Sequence, residues 1–156
     1  MAYAKDTSVA VSKSEAEIKA MIRRYGATSF ASYETAAAAM IAFEMQGRRV
    51  VFKLPLPDRR SRQFTETPSG KWARSEKQAE QAWEQACRSK WRALLLCIKA
   101  KLESVEAGIE TFDDAFLAHI QMPDGLTVGE HVRPNIAIAY EKNEMQPLLP
   151  GPKGGA

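Results

Sequence analysis

Apolar residues recur along this chain with two different periods, and the changes of period mark its elements. Ile18, Met21, Ile22 and Tyr25 fall at i, i+3, i+4 and i+7, the spacing of one helix face. Ser14 and Glu17 fit the capping-box pattern at its start, and Gly26 fits a C-terminal stop. A short helix from Ser14 is therefore expected, preceded by a loose arm or edge strand over 1–12, where no period is present. From Thr28 to Tyr33 the alternation is weak, and a first strand is expected there. A stronger period of two follows. Ile41, Phe43 and Met45 alternate with Ala42 and Glu44, and Val50, Phe52 and Leu54 alternate with Arg49, Val51 and Lys53. Gln46-Gly47 between them predicts a two-residue hairpin turn. That turn pairs 43 with 50 and 41 with 52 on the core face, and Glu44 with Arg49 on the other. Pro55 and Pro57 end the second strand of this hairpin, since neither can donate to a ladder.

Residues 58–71 carry turn and polar chemistry, and an exposed loop or irregular second hairpin is expected. The helical period then returns. Ser75-Glu76-Lys77-Gln78 is a capping box, and a stripe from Ala79 through Trp83, Trp91, Leu94, Leu95, Ile98 and Leu102 to Val105 predicts a helix reaching Ala107. Gly108 ends it. Thr111-Phe112-Asp113-Asp114 opens a further helix with Phe112, Phe116, Leu117 and Ile120 inward. Thr127-Val128-Gly129-Glu130 caps a last one containing Val132, Ile136 and Tyr140, with Pro134 either in its first turns or dividing it.

The predicted fold class is α+β: an antiparallel meander of two or three strands packed on a long helix, with an N-terminal helix and two C-terminal helices. The 156 residues fit one domain over 1–142, with a mobile Pro/Gly tail over 143–156. No apolar run approaches a membrane span, and the N-terminus has no apolar signal region, so a cytoplasmic protein without membrane contact is expected. Cys87 and Cys97 lie ten residues apart on one helix, too far to bridge. Both read as reduced core filler.

Charge changes the picture. The net charge is only +3, but residues 48–77 hold nine Lys/Arg against three acids, and 102–156 hold three against nine. The basic stretch also contains Phe52, Phe64 and Trp72. Positive charge interleaved with aromatics suits a phosphate backbone with stackable bases. The candidate nucleic-acid-binding residues are Arg48, Arg49, Lys53, Arg59, Arg60, Arg62, Phe64, Lys71, Trp72 and Arg74. Arg88, Arg92 and Lys99 on the long helix could extend the grip. Two alternatives compete: a solvated face that keeps the chain soluble, and self-association in which the basic hairpin of one copy meets the acidic region of another.

Catalytic signals are weak. His119 and His131, with Asp113, Asp114, Asp124 and Glu130 near them in sequence, match no known ligand spacing. No serine sits in a nucleophile elbow, neither cysteine has a histidine at motif spacing, and no Gly-rich phosphate loop is present. No enzyme activity, cofactor or metal is expected.

The stretches GRRVVFKLPLPDR (47–59), AEQAWEQACRSKWRALLLCIKAKLESVEAGIETFDDAFLAHIQMPDG (79–125) and LLPGP (148–152) resemble a family of small uncharacterised bacteriophage and prophage proteins. The resemblance implies a phage or prophage origin and a bacterial host cytoplasm, and it implies no activity. The order of strands followed by a long helix, with a basic hairpin, is similar in topology to single-strand annealing proteins. The expected function is a non-catalytic phage accessory protein that binds nucleic acid, single-stranded DNA by preference. The alternative is a protein-interaction module, such as a phage inhibitor or adaptor of a host protein, that could form a homo-oligomer.

Overall fold

The computed structural model describes residues 4–151. Its order is α1 (Val11–Arg24), β1 (Ser29–Glu34), β2 (Ala38–Met45), β3 (Arg48–Pro55), α2 (Arg62–Thr65), α3 (Glu76–Glu106), α4 (Phe112–Phe116), a 3-10 turn (Leu117–His119) and α5 (Val128–Lys142). This is the expected α+β fold, with all three strands of the meander formed.

The sheet is antiparallel in the order β1-β2-β3. Its central register is the one the alternation predicts: Phe43 opposes Val50, Ile41 opposes Phe52, and Glu44 opposes Arg49. The turn works because Gln46 and Gly47 both take positive φ, +50° and +71°, as a turn matching the strand twist requires. Glu44 and Arg49 are cross-strand neighbours, but the described residues show no ion pair between them.

One face of the sheet packs on α1 and α3. Ile18, Ile22, Ile41, Phe43, Val50, Trp91, Ile98, Leu102 and Phe116 are the centre of this core. The α3 cap forms in full: Gln78 N donates to Ser75 Oγ, and Ser75 N donates to Gln78 Oε1. Phe116 closes the far end, edge-on to both Phe43 (6.1 Å) and Phe52 (6.3 Å).

Four expectations need correction. Helix α1 starts a turn early, with Ala10 in the cap position and no side-chain cap bond, so Ser14 is not its cap. Ser14 is instead fully buried among apolar neighbours, which the helical stripe of α1 could have signalled. The segment before α1 is not loose over its described part, because the Gln85 amide donates to the carbonyls of Lys5 and Thr7. Cys97 is exposed, since it falls on the helix face opposite the core, whereas Cys87 is buried. Leu117 is half exposed because the chain tightens into the 3-10 turn and rotates it outward. Residues 143–151 are irregular, with Leu148 O accepting from Asn135 Nδ2, and the remainder of the expected mobile tail lies outside the described residues.

Candidate functional site

The segregated charges meet inside the chain. Arg48 and Asp113 form a two-point pair, Nε to Oδ1 at 3.1 Å and the second guanidinium nitrogen to Oδ2 at 3.3 Å. Lys53 on β3 pairs with Glu130 of the α5 capping box. That ammonium, with the Thr127 backbone, holds the Glu130 carboxyl below its usual range. The basic hairpin and the acidic C-terminal region are thus complementary within one copy. The charge pattern that suggested contact between copies is satisfied intramolecularly at both of these pairs.

The rest of the predicted interface is also largely engaged. Arg59 pairs with Glu80 at 3.0 Å, and its guanidinium carbon sits over Trp83, 3.8 Å from the ring centroid. The Trp83 indole N–H donates to Pro57 O at 2.7 Å, so the chain leaving β3 is fastened to α3. Arg62 pairs with Glu66 one turn on. The Arg74 guanidinium donates to the carbonyls of Gln63 and Phe64, tying off the end of α2. Phe64 is a correction: it is only 5% exposed, buried where α2 packs on α3, and its face cannot stack a base in this arrangement. Trp72 is 70% exposed, at the base of a loop closed by the Glu66–Ala73 bridge and by Thr67 N donating to Trp72 O at 2.8 Å. Among the described residues Arg49, Arg60 and Lys71 form no ion pair.

These remaining cations do not share one groove. Arg49 sits at the turn end of β3 and Arg60 beyond its other end, and the strand between them spans roughly 20 Å. On the long helix Arg92 is paired with Glu17 of α1 at 2.7 Å, and Arg88 is held by Gln85.

The two histidines occupy separate environments. His131 pairs with Asp124 at 2.7 Å, and this bond holds the Asp124 carboxyl below its usual range. His119 stacks on Phe52. Among the described residues no cluster of three His, Cys, Asp or Glu side chains could hold a metal ion. Nor is any described helix long and apolar enough to cross a membrane.

The surface that charge did not reveal is apolar. Helix α5 has no buried residue along its 15 positions. It meets the body mainly at the 3-10 turn, where Gly129 comes so close that a Cβ there would lie 2.8 Å from Ala118 O. Beyond that contact Ile136 is 41% and Tyr140 87% exposed, beside Leu117 at 50%. Between α3, α4 and α5 lies an open groove of about 420 Å³, lined by Ala115, Leu117, Val128, Val132 and Ile136, with Lys101, Asp114 and Arg133 at its rim. The unbroken run Ile136-Ala137-Ile138-Ala139-Tyr140 is the sequence signal, because a helix apolar all round is ordinarily a buried one.

A scan of protein-family models found no match to the chain, and searches of curated proteins and of solved structures found none either.

Proposed function

We propose that this chain is a non-catalytic protein-interaction module whose α5 helix and adjoining groove receive an apolar segment of a partner protein. One observation carries the reading: the C-terminal half of α5 holds five consecutive apolar residues, Ile136 to Tyr140, none of them buried. Contiguous exposed apolar surface with a polar rim is the usual mark of a protein contact. The groove floor supplies aliphatic side chains, Asp114 and Arg133 give its rim one charge of each sign, and Lys101 is engaged by the Ala115 carbonyl at 2.8 Å. The groove therefore suits a partner segment whose apolar residues are flanked by polar ones. A bacterial host cytoplasm and a phage or prophage origin, implied by the sequence resemblance, make a host or phage protein the natural partner. The test is retention of one defined protein from nuclease-treated bacterial lysate by the intact chain, compared with Ile136→Glu.

Single-stranded nucleic acid is the second reading. It is favoured by Trp72, exposed beside Lys71, with Arg60 as a further cation that forms no ion pair among the described residues. It is weakened by the internal pairing of Arg48, Lys53, Arg59 and Arg62. Titration with a labelled 40-mer separates the two, since this second reading requires micromolar binding that weakens steeply with salt.

A further inference from the structure

The two edges of the sheet are treated differently. In an antiparallel ladder, residues alternate between pointing their backbone groups at one neighbour and at the other. On β3, the outward-facing row is covered at its turn end. Arg49 O accepts from Gln121 N at 2.8 Å, and Val50 bridges to Ile120. On β1, the outward row belongs to Phe30, Ser32 and Glu34, because Thr35 N already donates to Ala38 O and fixes the alternation. Among the described residues nothing hydrogen-bonds to the backbone of those three. The strand, SFASYE, is exposed at five of its six positions, Phe30 being the exception. It contains no lysine, arginine or proline to discourage pairing.

We propose that β1 pairs antiparallel with β1 of a second copy about a two-fold axis through Ala31, making one continuous six-stranded sheet. The charges on α1 select both the occupant and the register. Helix α1 runs in the opposite direction to β1 on the core face of the sheet, with an open groove between them lined by Glu15, Lys19, Phe30 and Ser32. Ser32 Oγ donates to Glu15 Oε1 at 2.5 Å, and Lys19 Nζ lies 5.8 Å from the Phe30 ring centroid. With the axis at Ala31, Phe30 of each copy faces Ser32 of the other. Lys19, carried above Phe30, then meets Glu15 of the second copy, carried on its Ser32. Symmetry makes this contact twice. An axis through Ser32 would set Glu15 against Glu15, and one through Phe30 would set Lys19 against Lys19. Registers shifted by one residue would oppose outward to inward backbone groups and form no ladder. Ala31 leaves only two methyl groups at the axis, on the sheet face away from α1. This surface is separate from α5, so the pairing stands or falls independently of the proposed function.

The test is molar mass by light scattering on the full chain at about 100 μM, a concentration at which a micromolar dimer is nearly complete. The intact chain is expected at twice its 17.3 kDa. Ala31→Lys, Glu15→Lys and Lys19→Glu are each expected to weaken association about tenfold or more by setting like charges across the axis. All three positions lie outside the core, and an unchanged melting temperature verifies folding. An equimolar mixture of the Glu15→Lys and Lys19→Glu variants is expected to restore the dimer, because one copy then carries two cations on α1 and the other two anions. A monomeric intact chain, a dimer that Ala31→Lys leaves intact, or a mixture that stays monomeric each overturns the proposal. A β1 edge that pairs only with a different protein would appear as the first of these.

Discussion

His119 lies flat against Phe52, ring centroids 4.0 Å apart and planes within 19°. The stack joins the 3-10 turn to the middle of β3 and places an ionisable ring at the border of the core. Burial pushes the His119 pKa below its usual value, the Lys101 charge pushes the same way, and a hydrogen bond with the Val51 backbone opposes them. The unfolded chain therefore binds a proton on this ring at a higher pH than the folded one. The stabilisation is complete above about pH 6.5 and is lost as pH falls through the lower, folded pKa. The melting temperature is expected to drop on going from about pH 7 to pH 5, and His119→Gln should flatten that interval. Asp124 and Glu130, whose carboxyls are also held low, add a further loss only at more acidic pH.

Ser14 is the cleanest point at which sequence and structure disagree. As a helix cap, its replacement by alanine would destabilise the chain by about 1 kcal/mol. In the structure its hydroxyl is buried and has no hydrogen-bond partner among the described residues. Ser14→Ala is thus expected to leave stability unchanged or raise it by up to about 1 kcal/mol. Urea unfolding of the two proteins decides the sign.

Gly129 sets the approach of α5 to the body. A Cβ there would meet the Ala118 carbonyl at 2.8 Å, and backbone at both sides has no easy retreat. Gly129→Ala is expected to destabilise by about 1–3 kcal/mol and to open the 121–127 loop to protease. Unchanged melting together with unchanged cleavage would show that α5 is not fixed at this contact.

The hairpin and the long helix were legible because local rules govern them. Gln46-Gly47 chooses the turn, the alternation from Ile41 to Leu54 chooses the face, and Ser75 with Gln78 closes a box within one turn of chain. The internal pairing of the basic stretch was not legible for the opposite reason. Asp113 lies 65 residues from Arg48 and Glu130 lies 77 from Lys53, and no local pattern reports that such groups meet. Phe64 was misread because the segment around it lacks periodicity, and its burial arises from tertiary packing on α3. Helix α5 shows the limit of a periodic stripe. Val132, Ile136 and Tyr140 mark an apolar face, yet their spacing does not say whether the chain itself covers it.

The tryptophans should separate sharply. Trp91 is buried in the core, and Trp91→Ala is expected to lose about 3–5 kcal/mol. Trp72, largely exposed, should tolerate alanine within about 0.5 kcal/mol. If nucleic acid does bind, Trp72→Ala should weaken it by about 1–3 kcal/mol with little change in salt slope, whereas Arg60→Ala should make the slope shallower by about one unit. A loss of stability in Trp72→Ala comparable to that of Trp91→Ala would place its ring in a packed interior instead.

The most direct measurement compares the intact chain with the double variant Ile136→Glu, Tyr140→Glu in capture from nuclease-treated bacterial lysate, after melting curves show that both fold. Neither residue is buried, so stability should hold. The interaction-module reading predicts one defined protein retained by the intact chain and lost with the variant. An identical pattern for both proteins would contradict it, as would micromolar, salt-sensitive single-strand binding by the intact chain with no protein retained.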